Sequence, residues 1–111
     1  MLASIGALTT LALGLMGLLR PSAAAAFTSI EPIGPVGVSE IRATYGGLFA
    51  AMGAWALWAQ TPAVFGVLAV AWAGAALGRL VSVAVDGSRS GQNLGGIAFE
   101  GVIAVLCWTG A

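Results

Sequence analysis

Residues 62–85 read PAVFGVLAVAWAGAALGRLVSVAV, a run that carries one charge, Arg79, and is closed by Asp86-Gly87. A hydrocarbon layer about 30 Å thick is crossed by roughly 20 apolar helical residues. A run of this length and apolarity therefore reads as a membrane-spanning helix. Three further runs have the same character: Leu2 to Leu19, closed by Arg20-Pro21; about Ile41 to Ala59, closed by Gln60-Thr61-Pro62; and Leu94 to about Gly110, with one charge, Glu100. Four spans of roughly 20 residues use about 80 positions and leave about 30 for connections. The expectation is an all-α fold: a polytopic membrane protein, a four-transmembrane-helix bundle, forming a single domain with spans at about 2–19, 41–59, 63–85 and 94–110.

Composition points the same way. The chain is 59% hydrophobic and 7% charged, whereas about a quarter of a soluble domain is charged. Its charges are four Arg, three Glu and one Asp, with no Lys and no His. Zero net charge removes the basic field that nucleic-acid binding needs. Without His the chain lacks the usual general base and the commonest metal ligand. Cys107, the one cysteine, can form neither an internal disulfide nor a zinc site alone. No catalytic, metal-binding or cofactor-binding set emerges, and the chain is expected not to be an enzyme.

Glycine occurs 17 times, although each interior helical Gly costs about 1 kcal/mol relative to Ala in water. In membranes small residues let helices approach closely. Gly46-Gly47, Gly53, Gly66, Gly74, Gly78, Gly95-Gly96 and Gly101 fall within or beside the spans, which favours a tightly packed bundle. Gly74 with Gly78, and Ala50 with Ala54, have the spacing of helix-contact steps. The Ala23–Ala26 run resembles a signal-peptide cleavage site, but no positive charge precedes the first apolar stretch, so that stretch reads as a retained helix.

The connections differ. Gln60-Thr61-Pro62 makes a tight hairpin, with Pro62 suited to a first helical turn. About twenty residues join the first two spans, and Pro32 and Pro35 forbid a continuous helix there. Phe27, Ile30, Ile33 and Val36 suggest that this connection lies on the membrane interface. A polar turn, Asp86 to Asn93, joins the last two spans. Four crossings put both long connections on one side, and Arg20, Arg42, Arg79 and Arg89 all gather there. Positive residues favour the cytoplasmic side, so both termini are expected in the periplasm of a bacterial inner membrane. Trp55, Trp58 and Trp108 fall near the opposite interface, where indole rings are favoured.

Charges inside a span are costly and seek partners. Arg79 lies seven residues before Asp86 and Glu100 seven after Asn93, so each sits about 10 Å inside its helix. The expected cluster pairs Arg79 with Glu100, with Glu40, Arg42, Tyr45, Ser82 and Asp86 nearby. Such a cluster serves as a register-fixing network, as a pocket for a polar head group, or as an acid–base pair, the last with no nucleophile, His or metal set beside it.

These residues also carry a resemblance. Ser39-Glu40-Ile41-Arg42-Ala43-Thr44-Tyr45-Gly46-Gly47, then Gly78-Arg79-Leu80-Val81-Ser82 with Asp86-Gly87, then a lone Glu100, together resemble small bacterial membrane proteins catalogued as domain of unknown function 4345. That family is distantly similar to DoxX-like four-helix membrane proteins. The resemblance covers roughly residues 38–108 and implies a four-helix inner-membrane bundle, but no activity. The function expected first is a non-catalytic accessory or structural subunit of a larger inner-membrane complex, respiratory or photosynthetic, with lipids and other membrane subunits as partners. The alternative is a small transporter or a lipid- or quinone-binding protein. A DoxX-like enzyme would need a redox partner to supply the electron chemistry.

Overall fold

The structure is a computed structural model describing residues 1–111, and it contains helices and turns but no strand. The helices are α1 (Leu2–Leu19), α2 (Pro21–Thr28), α3 (Gly34–Ile41), α4 (Phe49–Ala59), α5 (Pro62–Val85) and α6 (Gly91–Trp108), with a π-helical stretch, Arg42–Leu48, between α3 and α4. Two of them, α1 and α5, are long and apolar enough to cross a membrane. The other two expected spans differ for local reasons. The opening turn of α6 is polar (Gln92, Asn93) and Glu100 interrupts its apolar run. The second stretch begins earlier than Ile41: α3, the π-helical stretch and α4 follow without a break, with right-handed helical backbone at both junctions.

Local chemistry sets the boundaries. The Thr61 hydroxyl accepts from the Val64 N–H at the start of α5, with Pro62 in the first turn, where its missing donor costs nothing. The Ser90 hydroxyl accepts from the Asn93 N–H at the start of α6. The twenty-residue connection is largely helical rather than irregular, because Pro21 opens an alanine run of high helix propensity. That helix stops at Ser29, whose φ of 57° lets the Ser29 and Ile30 N–H groups close back on Ala26 and Ala25. This double closure is a Schellman ending. Pro32 and Pro35 then prevent the break from healing.

The chain divides into two compact units. The first comprises Met1–Gly6 and Gln60–Ala111. In it α5 and α6 form an antiparallel hairpin, with Phe65, Leu68, Ala69, Trp72, Ala76, Ile103 and Cys107 buried. The Trp72 and Phe99 rings meet edge-on, with centroids 6.2 Å apart. Ser4 exchanges hydrogen bonds with Gln60 at 3.2–3.3 Å.

The second unit is Ala7–Ala59. Ala24, Ala25 and Ile41 form a small apolar cluster, joined by Met16 and Tyr45. Close backbone approach dominates here. A Cβ added at Gly14 would lie 2.7 Å from the Ala50 Cα, and one at Gly53 would lie 2.7 Å from the Ala7 carbonyl oxygen. Ala50 thus marks a close approach, as its spacing suggests. Gly74 and Gly78 do not: a Cβ at either meets nothing within 4 Å. Their stripe faces outward, so it is no contact within the chain.

Candidate functional site

On α6 the buried residues Asn93, Glu100, Ile103 and Cys107 fall at steps of seven, three and four, the spacing of one helical face. Gly96 lies one turn before Glu100 on the same face. On α5, Trp72, Ala76 and Arg79 share a face by the same rule. The two faces meet, and Arg79 spans the gap. Its Nε donates to Glu100 Oε1 at 2.8 Å, and its Nη1 donates to Asn93 Oδ1 at 3.1 Å. Asn93 is fixed in turn by donating from Nδ2 to the Ser88 carbonyl at 2.8 Å. Gly96 supplies the seat. A Cβ there would stand 2.8 Å from both Nε and Cζ of Arg79, so only Gly lets the guanidinium lie against the helix.

The two partners are unequally buried. The Glu100 residue is 7% exposed, whereas the Arg79 side chain is 36% exposed. One carboxylate oxygen is satisfied; the other, Glu100 Oε2, is buried without a hydrogen-bond partner. A buried unpaired acceptor costs about 1–3 kcal/mol, and more when charged. On the other side Arg79 has five donors, two of which are used. The pair therefore carries an unfilled acceptor inside and spare donors toward the outside.

The remaining residues of the expected cluster have partners of their own or lie exposed. The Ser82 hydroxyl donates to Asp86 Oδ2 at 2.7 Å, at the exposed C-terminal end of α5. Glu40, Arg42 and Tyr45 belong to the second unit. Glu40 is exposed. Arg42 donates from Nη1 to the Leu18 carbonyl oxygen, one of the acceptors that a helix end leaves open. Tyr45 packs on the small apolar cluster and tilts against Phe49, with ring centroids 6.1 Å apart. Sequence reasoning missed Asn93 as a partner of Arg79, reading it as part of a turn. Its position seven residues before Glu100 was the available signal, since two turns return a side chain to the same face.

The family model described as domain of unknown function (DUF4345) matches residues 1–111. The chain belongs to that family. The match takes in α1 and the connection after it, beyond residues 38–108 where the resemblance is visible by eye. No curated protein and no solved structure matches the chain.

Proposed function

We propose that this DUF4345 protein is a four-span membrane protein and a non-catalytic accessory subunit of a larger inner-membrane complex. The observation that carries the reading is the outward face of α5. Val67, Val70, Leu77 and Val81 are exposed there, around the open Gly74–Gly78 stripe. In a bilayer, small residues flanked by branched apolar ones form a usual seat for another helix. Leu15 and Leu48 in the second unit, and Val102 and Val105 on α6, are exposed as well, so each unit by itself presents large apolar side chains outward, as a lipid-facing helix does. Counting from α1 and α5, α3–α4 and α6 are the two remaining crossings. The arginines beside the two long connections support cytoplasmic connections and periplasmic termini in a bacterial inner membrane. Exposed Trp55, Trp58 and Trp108 suit the opposite interface.

The test is native electrophoresis of membranes solubilised in mild detergent. Migration in a stoichiometric larger assembly, lost in Gly74→Leu/Gly78→Leu but kept in Gly95→Leu, supports the subunit reading. Migration as a free monomer in every case overturns it. Reporter fusions at both termini test the orientation separately.

A second reading, a lipid- or quinone-binding protein or small transporter, is favoured by one observation: the orphaned Glu100 Oε2 beside the half-exposed Arg79. It requires a head group to perturb Glu100 in the folded protein. A Glu100 environment that no amphiphile alters would overturn it.

A further inference from the structure

From the geometry of Arg79, Glu100 and Gly96 we infer that this site binds a neutral hydroxyl group of a membrane-resident amphiphile, a group that accepts from Arg79 and donates to Glu100 Oε2. The inference rests on the second reading above, that the site takes a head group, and names which chemistry it takes.

Charge decides first. Arg79 and Glu100 are bonded at 2.8 Å and cancel each other. An anionic head group on Arg79 would leave the pair and its ligand at net minus one, beside a carboxylate that is 7% exposed. An ammonium on Oε2 would leave net plus one beside a guanidinium. Either excess charge costs several kcal/mol in a low-dielectric interior. A neutral ligand keeps the sum at zero.

Hydrogen bonding decides next. The deficit is one acceptor without a donor, Glu100 Oε2, while Arg79 has donors to spare. An ether or ketone oxygen would occupy Arg79 and leave Oε2 unfilled. A hydroxyl serves both, because it donates one hydrogen and accepts through its lone pairs. Depth agrees. Arg79 lies six residues from the end of α5, about 9 Å along the helix, which is below the head groups and within reach of a hydroxyl tethered to an alkyl chain.

Access follows from the unequal burial. Oε2 is sealed in this structure, while the other member of the pair is 36% exposed. Arg79 is therefore the member of the pair that an incoming hydroxyl meets first. The same hydroxyl supplies the donor that Glu100 Oε2 lacks. No bond is made or broken other than hydrogen bonds.

The experiment is infrared spectroscopy of the full chain in phosphatidylcholine bilayers, whose lipid has neither hydroxyl nor net charge. Glu31→Gln and Glu40→Gln leave Glu100 as the one glutamate, and cell-free synthesis with carboxyl-13C glutamate isolates its carboxylate band. Three probes of equal chain length are added: 1-dodecanol, dodecyl methyl ether and dodecyl phosphate. The expected result is a saturable shift of the Glu100 band with dodecanol alone. In Arg79→Lys, which loses the fork but keeps the charge, half-saturation should rise about tenfold or more, the equivalent of one charge-assisted hydrogen bond. A shift with dodecyl phosphate and none with dodecanol overturns the neutral-hydroxyl assignment and leaves the head-group reading standing. Equal shifts with dodecanol and the ether mean a bilayer effect and overturn the assignment. No shift with any probe overturns both the assignment and the head-group reading.

Discussion

Replacing Gly96 by Ala places a methyl group where the Arg79 guanidinium now rests. The new Cβ would stand 2.8 Å from Nε and Cζ and 3.1 Å from Nη1, whereas carbon contacts relax at about 3.5–4.0 Å. The guanidinium must therefore retreat by roughly 1 Å. The shift of a flexible side-chain end is cheap in itself; its cost is set by the 2.8 Å bond from Nε to Glu100 Oε1, which a retreat directed away from Glu100 breaks. Loss of one charge-assisted bond costs about 1.5–3 kcal/mol. Two effects oppose it: Ala is favoured over Gly in a helix by up to about 1 kcal/mol, and Arg79, 36% exposed, can recover part of its hydration. The net expectation is destabilisation by about 1–2 kcal/mol. Gly95 is the control, since a Cβ there meets nothing within 4 Å. Gly95→Ala should be neutral or stabilising. Tryptophan fluorescence during unfolding in mixed micelles of rising SDS fraction measures both. In an Arg79→Leu/Glu100→Leu background the cost at Gly96 should vanish, because no guanidinium is displaced. If Gly96→Ala and Gly95→Ala agree within about 0.5 kcal/mol, the limit of ordinary additivity, the seat does not constrain the pair.

Other perturbations separate the interactions that hold each unit. Gly53→Ala meets backbone rather than a mobile side-chain end, with Leu11 N and Ala7 O at 2.5 and 2.7 Å; it should destabilise by more than Gly96→Ala in the same assay. Glu100→Gln keeps the shape but trades an ion pair for a weaker bond, and the half-exposed guanidinium left without its counter-charge should cost about 1–2 kcal/mol, read from the same titration. Cys107 is fully buried, so maleimide labelling should wait for unfolding, and labelling in the folded protein would contradict the packing of α6. Arg42→Ala removes an exposed hydrogen bond to the Leu18 carbonyl and should lower stability by about 0.5–1 kcal/mol, while Arg89→Ala, on an exposed turn, should change it by less than about 0.5 kcal/mol.

How much of this was legible beforehand differs by element. The helical character of residues 2–19 and 62–85 follows from uninterrupted apolar runs, because length and hydropathy alone specify such a helix. The connection between residues 20 and 40 was harder: prolines at 32 and 35 announced the break, but an alanine run gives no periodic signal that marks it as a helix. Counting placed Arg79 and Glu100 at similar depth, each with a turn to fix its reference. Periodicity could not say which small residues touch. Gly14, Gly53 and Gly96 lie under a neighbour while Gly74 and Gly78 lie open, and all five look alike in the sequence, since contact depends on which face another helix meets. The grouping of Arg42 and Tyr45 with Arg79 rested on shared side of the membrane. The contacts that hold those two residues are with Leu18, Phe49 and the apolar cluster of their own unit.

The first turns of α1 bear on the order of assembly. A Cβ at Gly6 would lie 2.5 Å from the Cys107 sulfur, and one at Gly110 would lie 2.6 Å from the Ala3 Cβ. These partners are separated by about a hundred residues of chain. The α5–α6 hairpin, by contrast, is joined by five residues, 86–90, and can form as soon as both helices exist. Local pairings form fast and distant ones slowly. The start of α1 thus completes its packing late: Gly6 and Ala3 meet Cys107 and Gly110 only after the α5–α6 hairpin has made its own, nearer contacts.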